Sequence, residues 1–202
     1  MSEINLMPFQ DQPFNGDIFM ELEFLKLKEK FGIQCAIETG SCLYSTTKWL
    51  SENFAKVYTF EINEEFANHG KHKISGNDNV NAIIGDSVYN LKMFAYSGEV
   101  NTSMCIFFLD AHWGDHCPLI EEIEAISSIP FAEPPVIVIH DFYTGNPLLG
   151  YDCFPNGWEF SYEAIEDSVR RLEASFSTKY SYYYNAEAEG AMRGVIYLVP
   201  MY

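Results

Sequence analysis

Two runs in this chain, Cys105–Leu109 (C-I-F-F-L) and Val136–Ile139 (V-I-V-I), are apolar at every position. A strand with one face in water alternates apolar and polar residues, so a strand without that alternation must be covered on both sides. A parallel sheet sandwiched between helices provides that cover. The surrounding sequence agrees, because short β-type runs alternate with helical stretches. Strands are expected at Gln34–Glu38, Val57–Glu61, Val80–Gly85, Met104–Asp110 and Pro135–His140. Helices are expected between them at Ser45–Phe54, Asn63–Ile74, Ser87–Tyr96 and Pro118–Ile129. An earlier helix, Asp17–Phe31, has apolar positions at Ile18, Leu22, Leu25 and Phe31 and closes on Gly32.

The later part reads differently. Ser161–Phe176 is a helix, and Tyr180–Ala186 and Gly194–Val199 are two strands joined by a polar connection. The expected fold is therefore α/β: a Rossmann-like, doubly wound, mostly parallel seven-stranded sheet ending in a C-terminal antiparallel hairpin. With 202 residues, 48% of them apolar, the chain suits a single domain spanning 1–202. Residues 1–16 read as an irregular N-terminal arm. The aromatic, Gly- and Pro-containing stretch 142–160 reads either as a lid over an acceptor or as a packed loop covering the sheet.

Charge limits the partners. Twelve Lys plus Arg face 29 Asp plus Glu, a net charge of −17. That field repels a nucleic-acid backbone and an anionic membrane surface alike, so neither is expected as a partner. The five cysteines form no C-x-x-C pair, and no leader or spanning segment stands out. A reduced, cytoplasmic protein is expected, with its oligomeric state open.

Ligands of open α/β sheets bind beyond the carboxyl ends of the strands. The residues there are Glu38-Thr39-Gly40-Ser41, Glu61-Ile62, Asp86-Ser87, Asp110-Ala111-His112 and His140-Asp141. All five strands end in an acid, which random helix capping explains poorly. Glu61 follows the first turn by about 20 residues, the spacing at which a carboxylate accepts both hydroxyls of a ribose. Gly40 allows close backbone approach. Cys42 and Tyr44 replace the further glycines that a pyrophosphate needs, which favours a nucleoside cofactor without phosphates.

The series A-I-E-T-G-S, V-Y-T-F-E, I-I-G-D-S, F-F-L-D-A-H-W and V-I-V-I-H-D-F resembles class I S-adenosylmethionine (SAM)-dependent methyltransferases over about Gln34 to Phe142. L-D-A-H-W followed by C-P-L-I-E-E-I-E-A-I is similar to small enzymes of sugar and natural-product biosynthesis. The resemblance implies a small hydroxylated acceptor and SAM as cofactor. It puts Glu38, Thr39, Gly40 and Ser41 beside the methionine part and ribose, Glu61 at the ribose hydroxyls, and Ile62 among the cofactor-binding residues. Asp86 and Ser87 would border the adenine, and Asp110 would face the transfer centre.

Asp110 and Asp141 end neighbouring strands and repel each other unless a cation or proton intervenes. A hard ion such as Mg²⁺ would suit them as ligands. Otherwise Asp110 caps its turn and Asp141 bonds the Thr144–Gly145 backbone. His112 and His140 are the metal-free candidates for general base. Two alternatives stay open: a nucleoside-binding scaffold without turnover, and a metal-dependent enzyme using Asp110, His112 and Asp141 without SAM.

Overall fold

The computed structural model describes residues 7–97, 104–112, 116–154 and 157–202. The first six residues of the expected arm, Trp113 of the L-D-A-H-W motif, and positions 155–156 of the 142–160 stretch lie outside them. The strands are β1 (Cys35–Thr39), β2 (Lys56–Glu61), β3 (Val80–Ile84), β4 (Cys105–Leu109), β5 (Val136–Ile139), β6 (Lys179–Tyr184) and β7 (Ile196–Met201). The helices are α1 (Ile18–Phe31), α2 (Ser45–Asn53), α3 (Glu64–Gly70), α4 (Ser87–Ser97), α5 (Leu119–Ser127) and α6 (Tyr162–Phe176). All seven strands form one sheet, ordered β3-β2-β1-β4-β5-β7-β6. The first five are parallel, and β7 runs antiparallel to both β5 and β6. The strand order reverses between β1 and β4, the point where such sheets open a crevice.

The uninterrupted apolar runs have the expected cause. In β4, Phe107 faces a core shared with α4, α5 and α6, while its neighbour Phe108 faces a second core with α1 and α2. In β5, Ile137 and Ile139 divide from Val136 and Val138 in the same way. No helix of the described residues is long and apolar enough to cross a membrane.

Helix α1 begins where Asp17 accepts the Phe19 and Met20 N–H groups and stops at Gly32, whose φ is 65°. Its buried face is not the expected one. Met20, Phe24 and Leu27 face the core, whereas Ile18, Leu22 and Leu25 are 47%, 51% and 38% exposed. Both stripes fit a helical period, and the sheet selected the one with Met20, Phe24 and Leu27.

The arm is docked where it is described. Phe14, in a 3₁₀ turn at Pro13–Gly16, is buried against Phe24, Trp49 and Phe108 with ring centroids 4.7, 5.1 and 5.2 Å away. Its N–H donates to Thr46 Oγ1 at 2.9 Å.

Candidate active site

The turn from β1 into α2 is pinned to the next strand, because Gly40 and Ser41 N–H both donate to the Phe60 carbonyl at 2.9 and 3.2 Å. Gly40 has a φ of +77°, and a Cβ there would lie 2.3 Å from the Asp110 carbonyl oxygen. Its bareness thus serves the contact between β1 and β4. Cys42 and Tyr44 also have left-handed φ values, 47° and 59°. The sequence lacks glycine at these positions, yet the backbone adopts the conformation that glycine would favour.

Glu61 leaves the end of β2 and receives the Cys42 N–H on Oε2 at 2.6 Å and the Asn63 N–H on Oε1 at 2.8 Å. Each carboxylate oxygen has a second lone pair, so a vicinal diol can still be accepted. Burial pushes this carboxyl above its usual range. Asp86 caps α4 by accepting the Tyr89 N–H at 2.7 Å. Gly40, Ser41, Glu61, Ile62, Asp86, Ser87 and Asp110 all line one cavity of about 730 Å³. The buried Ser41 Oγ has no partner among the described residues. The arm supplies a wall that sequence reading missed, through Met7, Phe9 and Asn15.

Two expected cofactor residues do not line this cavity. Thr39 is fully buried in β1. The Glu38 carboxylate accepts the hydroxyls of Thr47 and Thr59, the latter at 2.6 Å, and burial raises it to about 7. Sequence reading also passed over Glu122 of α5, likewise raised to about 7 by burial and bonded by the Ser87 and Thr39 side chains. Its signal was available, since Glu122 lies on the same helical face as the buried Leu119, Ile123 and Ile126.

Beside the turn, the acids at the ends of β4 and β5 are held by cations of the protein itself. His140 Nδ1 lies 3.1 Å from Asp110 Oδ1 and 3.3 Å from Asp141 Oδ2. His112 Nε2 lies 2.7 Å from Asp141 Oδ2 and 3.0 Å from Asp152 Oδ2. The Arg193 guanidinium spans Asp141 and Asp152. Three carboxylates thus face two imidazoles and one guanidinium. Asp152 comes from the loop after β5 and Arg193 from the β6–β7 connection, and neither follows a strand end.

Among the described residues Asp110 and Asp141 make these pairs and not the expected turn contacts. Asp110, His112 and Asp141 do offer donor atoms within 4.8 Å of one another. Arg193, however, already sets a fixed positive charge against Asp141 and Asp152, so the arrangement does not fit the expected Mg²⁺.

The acids around them set the charge of the two histidines expected as bases. Burial alone would lower His112, but hydrogen bonds to Asp141 and Asp152 and the charge of Asp110 prevail and raise it to about 10. For His140 burial is again the largest single effect, and the charges of Asp141 and Asp110 outweigh it and hold the ring well above its ordinary range. Asp141, which burial would raise, is kept well below the usual carboxylate range by the His140 charge and the His112 bond. The surrounding acids thus favour the protonated form of both imidazoles.

A pH dependence follows. His112 contributes its full stability below its ordinary value of 6.5, and the contribution declines above that and is gone past about 10. The thermal midpoint should fall between pH 7 and 10, and fall less in His112→Gln. Equal slopes in the two melts would contradict the pairing.

The described residues of the 142–160 stretch include a packed aromatic cluster. Phe154 and Phe160 join the main core, and Phe154, Trp158 and Phe160 form a mutual cluster with centroids 5.2 to 5.6 Å apart. Tyr143, Tyr151, Phe154 and Trp158 do not line the cavity, whereas Asp152 does.

No protein-family profile matches the sequence, and no curated protein does. Solved structures match in fold. An O-methyltransferase from Bacillus cereus in complex with SAH aligns with a TM-score of 0.61 and 18% identity, over 90% of this chain and 81% of that one. TomG, an O-methyltransferase from Streptomyces achromogenes involved in tomaymycin synthesis and solved with SAM, aligns at 0.60 and 14% identity, over 88% and 78%. An rRNA methylase from Streptococcus thermophilus aligns at 0.55 and 17% identity, over 92% and 96%. Taken with the strand order and the crevice beyond β1 and β4, these likenesses show that the chain has the fold of class I SAM-dependent methyltransferases.

Proposed function

We propose that this chain is a SAM-dependent methyltransferase acting on an oxygen of a small hydroxylated acceptor. The observation that carries the reading is Glu61, fixed by two backbone N–H groups at the cavity edge with its remaining lone pairs available. The cavity fits the cofactor in other respects. Gly40, Ser41 and Cys42 of the left-handed turn line it, and the Ser41 hydroxyl lacks a partner among the described residues. Glu61 would hold the ribose, Ile62, Asp86 and Ser87 would border the adenine, and Gly40 with Ser41 would flank the methionine part. When bound, SAM supplies a sulfonium methyl that an acceptor oxygen can attack in line.

The protein's remaining work is to orient that oxygen and receive one proton. Asp141 and Asp152 commit both their oxygens, while Asp110 commits Oδ1 to His140 and lines the cavity. Asp110 is therefore the proton acceptor, and His112 and His140 hold the acids in place. The net charge of −17 disfavours a polyanionic acceptor, so a small neutral one is preferred over nucleic acid.

Calorimetric titration with SAH tests the reading, and absence of binding would overturn it. Asp110→Asn should keep SAH affinity within about threefold while slowing SAM turnover with an accepted polyol or phenol by roughly 100-fold. Unchanged turnover would remove Asp110 from the proton transfer.

A further inference from the structure

Asp110, Asp141 and Asp152 converge on one cavity wall, which would ordinarily call for a metal ion. The protein supplies a side chain instead. Arg193 places Nε on Asp141 and Nη2 on Asp152, so that one planar group ties together two acids from different segments.

The backbone is built around that group. A Cβ on Gly150 would lie 2.9 Å from Arg193 Nη1, so a bare residue leaves room for the guanidinium. The loop and the connection carrying the two partners are joined by Gly150 N–H to the Met192 carbonyl and Gly194 N–H to the Gly150 carbonyl, both at 2.8 Å. Asp152 N–H donates to the Asp141 carbonyl at 2.9 Å, which fixes the spacing of the two carboxylates. Asp141 itself has a φ of 57°. Asp tolerates the left-handed region better than most residues, and here the conformation coincides with pairing to Arg193 and both imidazoles.

We propose that Arg193 is the resident cation of this site, its guanidinium standing where a divalent ion would otherwise be bound. It acts as a positioning residue. By neutralising Asp141 and Asp152 it makes their geometry independent of metal and leaves Asp110 as the one of the three acids outside its reach. Removing the guanidinium leaves three carboxylates facing two imidazoles, and a divalent ion is then the nearest compensation. The wild-type protein is accordingly a poor metal binder with a dormant cation site beneath Arg193. This holds whatever group the enzyme transfers.

The test is titration with Mn²⁺, followed by calorimetry and by the electron paramagnetic resonance of the free ion, on wild type, Arg193→Met and Arg193→Lys. Wild type and the Lys variant, which keeps the positive charge, should show no saturable site. The Met variant should bind one Mn²⁺ at least about tenfold more tightly than wild type, and Asp141→Asn added to it should abolish that binding. SAH titration of each protein reports separately on the cofactor half of the cavity and on folding. Wild type binding one Mn²⁺ as tightly as the Met variant would overturn the proposal. So would a Met variant that still binds SAH but takes up no Mn²⁺. Should the Met variant not fold, wild type and the Lys variant still decide: saturable binding to wild type refutes the assignment, and silence in both supports it.

Discussion

Replacing Glu61 with alanine is expected to weaken SAH binding by about 100-fold or more while the protein still folds. Hydrogen bonds to a charged acceptor contribute about 1.5–3 kcal/mol each, and a ribose offers two donors. Stability should change much less. The substitution leaves the Cys42 and Asn63 N–H groups without their acceptor, which costs stability, but it also removes a carboxylate whose burial already disfavours its charged form. Glu61→Gln keeps one acceptor oxygen and should fall between the two in affinity. Calorimetry gives the affinities, and thermal melts without ligand show whether the fold survives. Equal SAH affinity in Glu61→Ala and wild type would place the ribose elsewhere.

The largest effect on stability is expected from Gly40→Ala. The new Cβ would sit 2.3 Å from the Asp110 carbonyl oxygen, 2.7 Å from its carbon and 2.9 Å from the Ala111 Cα. None of these atoms belongs to a side chain that can swing aside, so β1 and β4 must separate at the crevice. Together with the left-handed φ, this should cost on the order of 3 kcal/mol or more. Cys42→Gly provides the contrast. Cys42 already holds a φ of 47°, so glycine relieves conformational strain and loses only a half-buried thiol. That variant should melt within about 2 °C of wild type and retain SAH affinity. Denaturant titration of the pair measures the difference, and similar losses in both would refute the backbone clash at Gly40.

Reading acids at strand ends found Glu61, Asp86, Asp110 and Asp141 because strand direction alone brings those positions to one edge of the sheet. The apolar runs identified β4 and β5 because two-sided burial leaves no polar position along them. Other features depend on contacts that no local pattern records. Asp152 and Arg193 meet through a loop and a connection whose paths only the finished fold determines. The helical stripe Ile18–Leu22–Leu25 was as periodic as the stripe that is buried, and the sheet made the choice. Cys42 and Tyr44 broke the expected glycine spacing in letters but not in backbone angle. Glu38, legible as an acid at the right place, turns down to two threonines.

The cavity wall joins distant parts of the chain. Asn15 accepts the Ala191 N–H at 3.1 Å, and a Cβ on Gly190 would come within 2.2 Å of the Asn15 carbonyl oxygen. During synthesis the five parallel strands are therefore made before the binding site exists. A nascent chain lacking the β6–β7 connection has no complete wall for the cofactor and no Arg193 to balance its acids. Ligand bound within the completed wall stabilises the finished molecule by about 2.7 kcal/mol at a concentration 100 times the Kd.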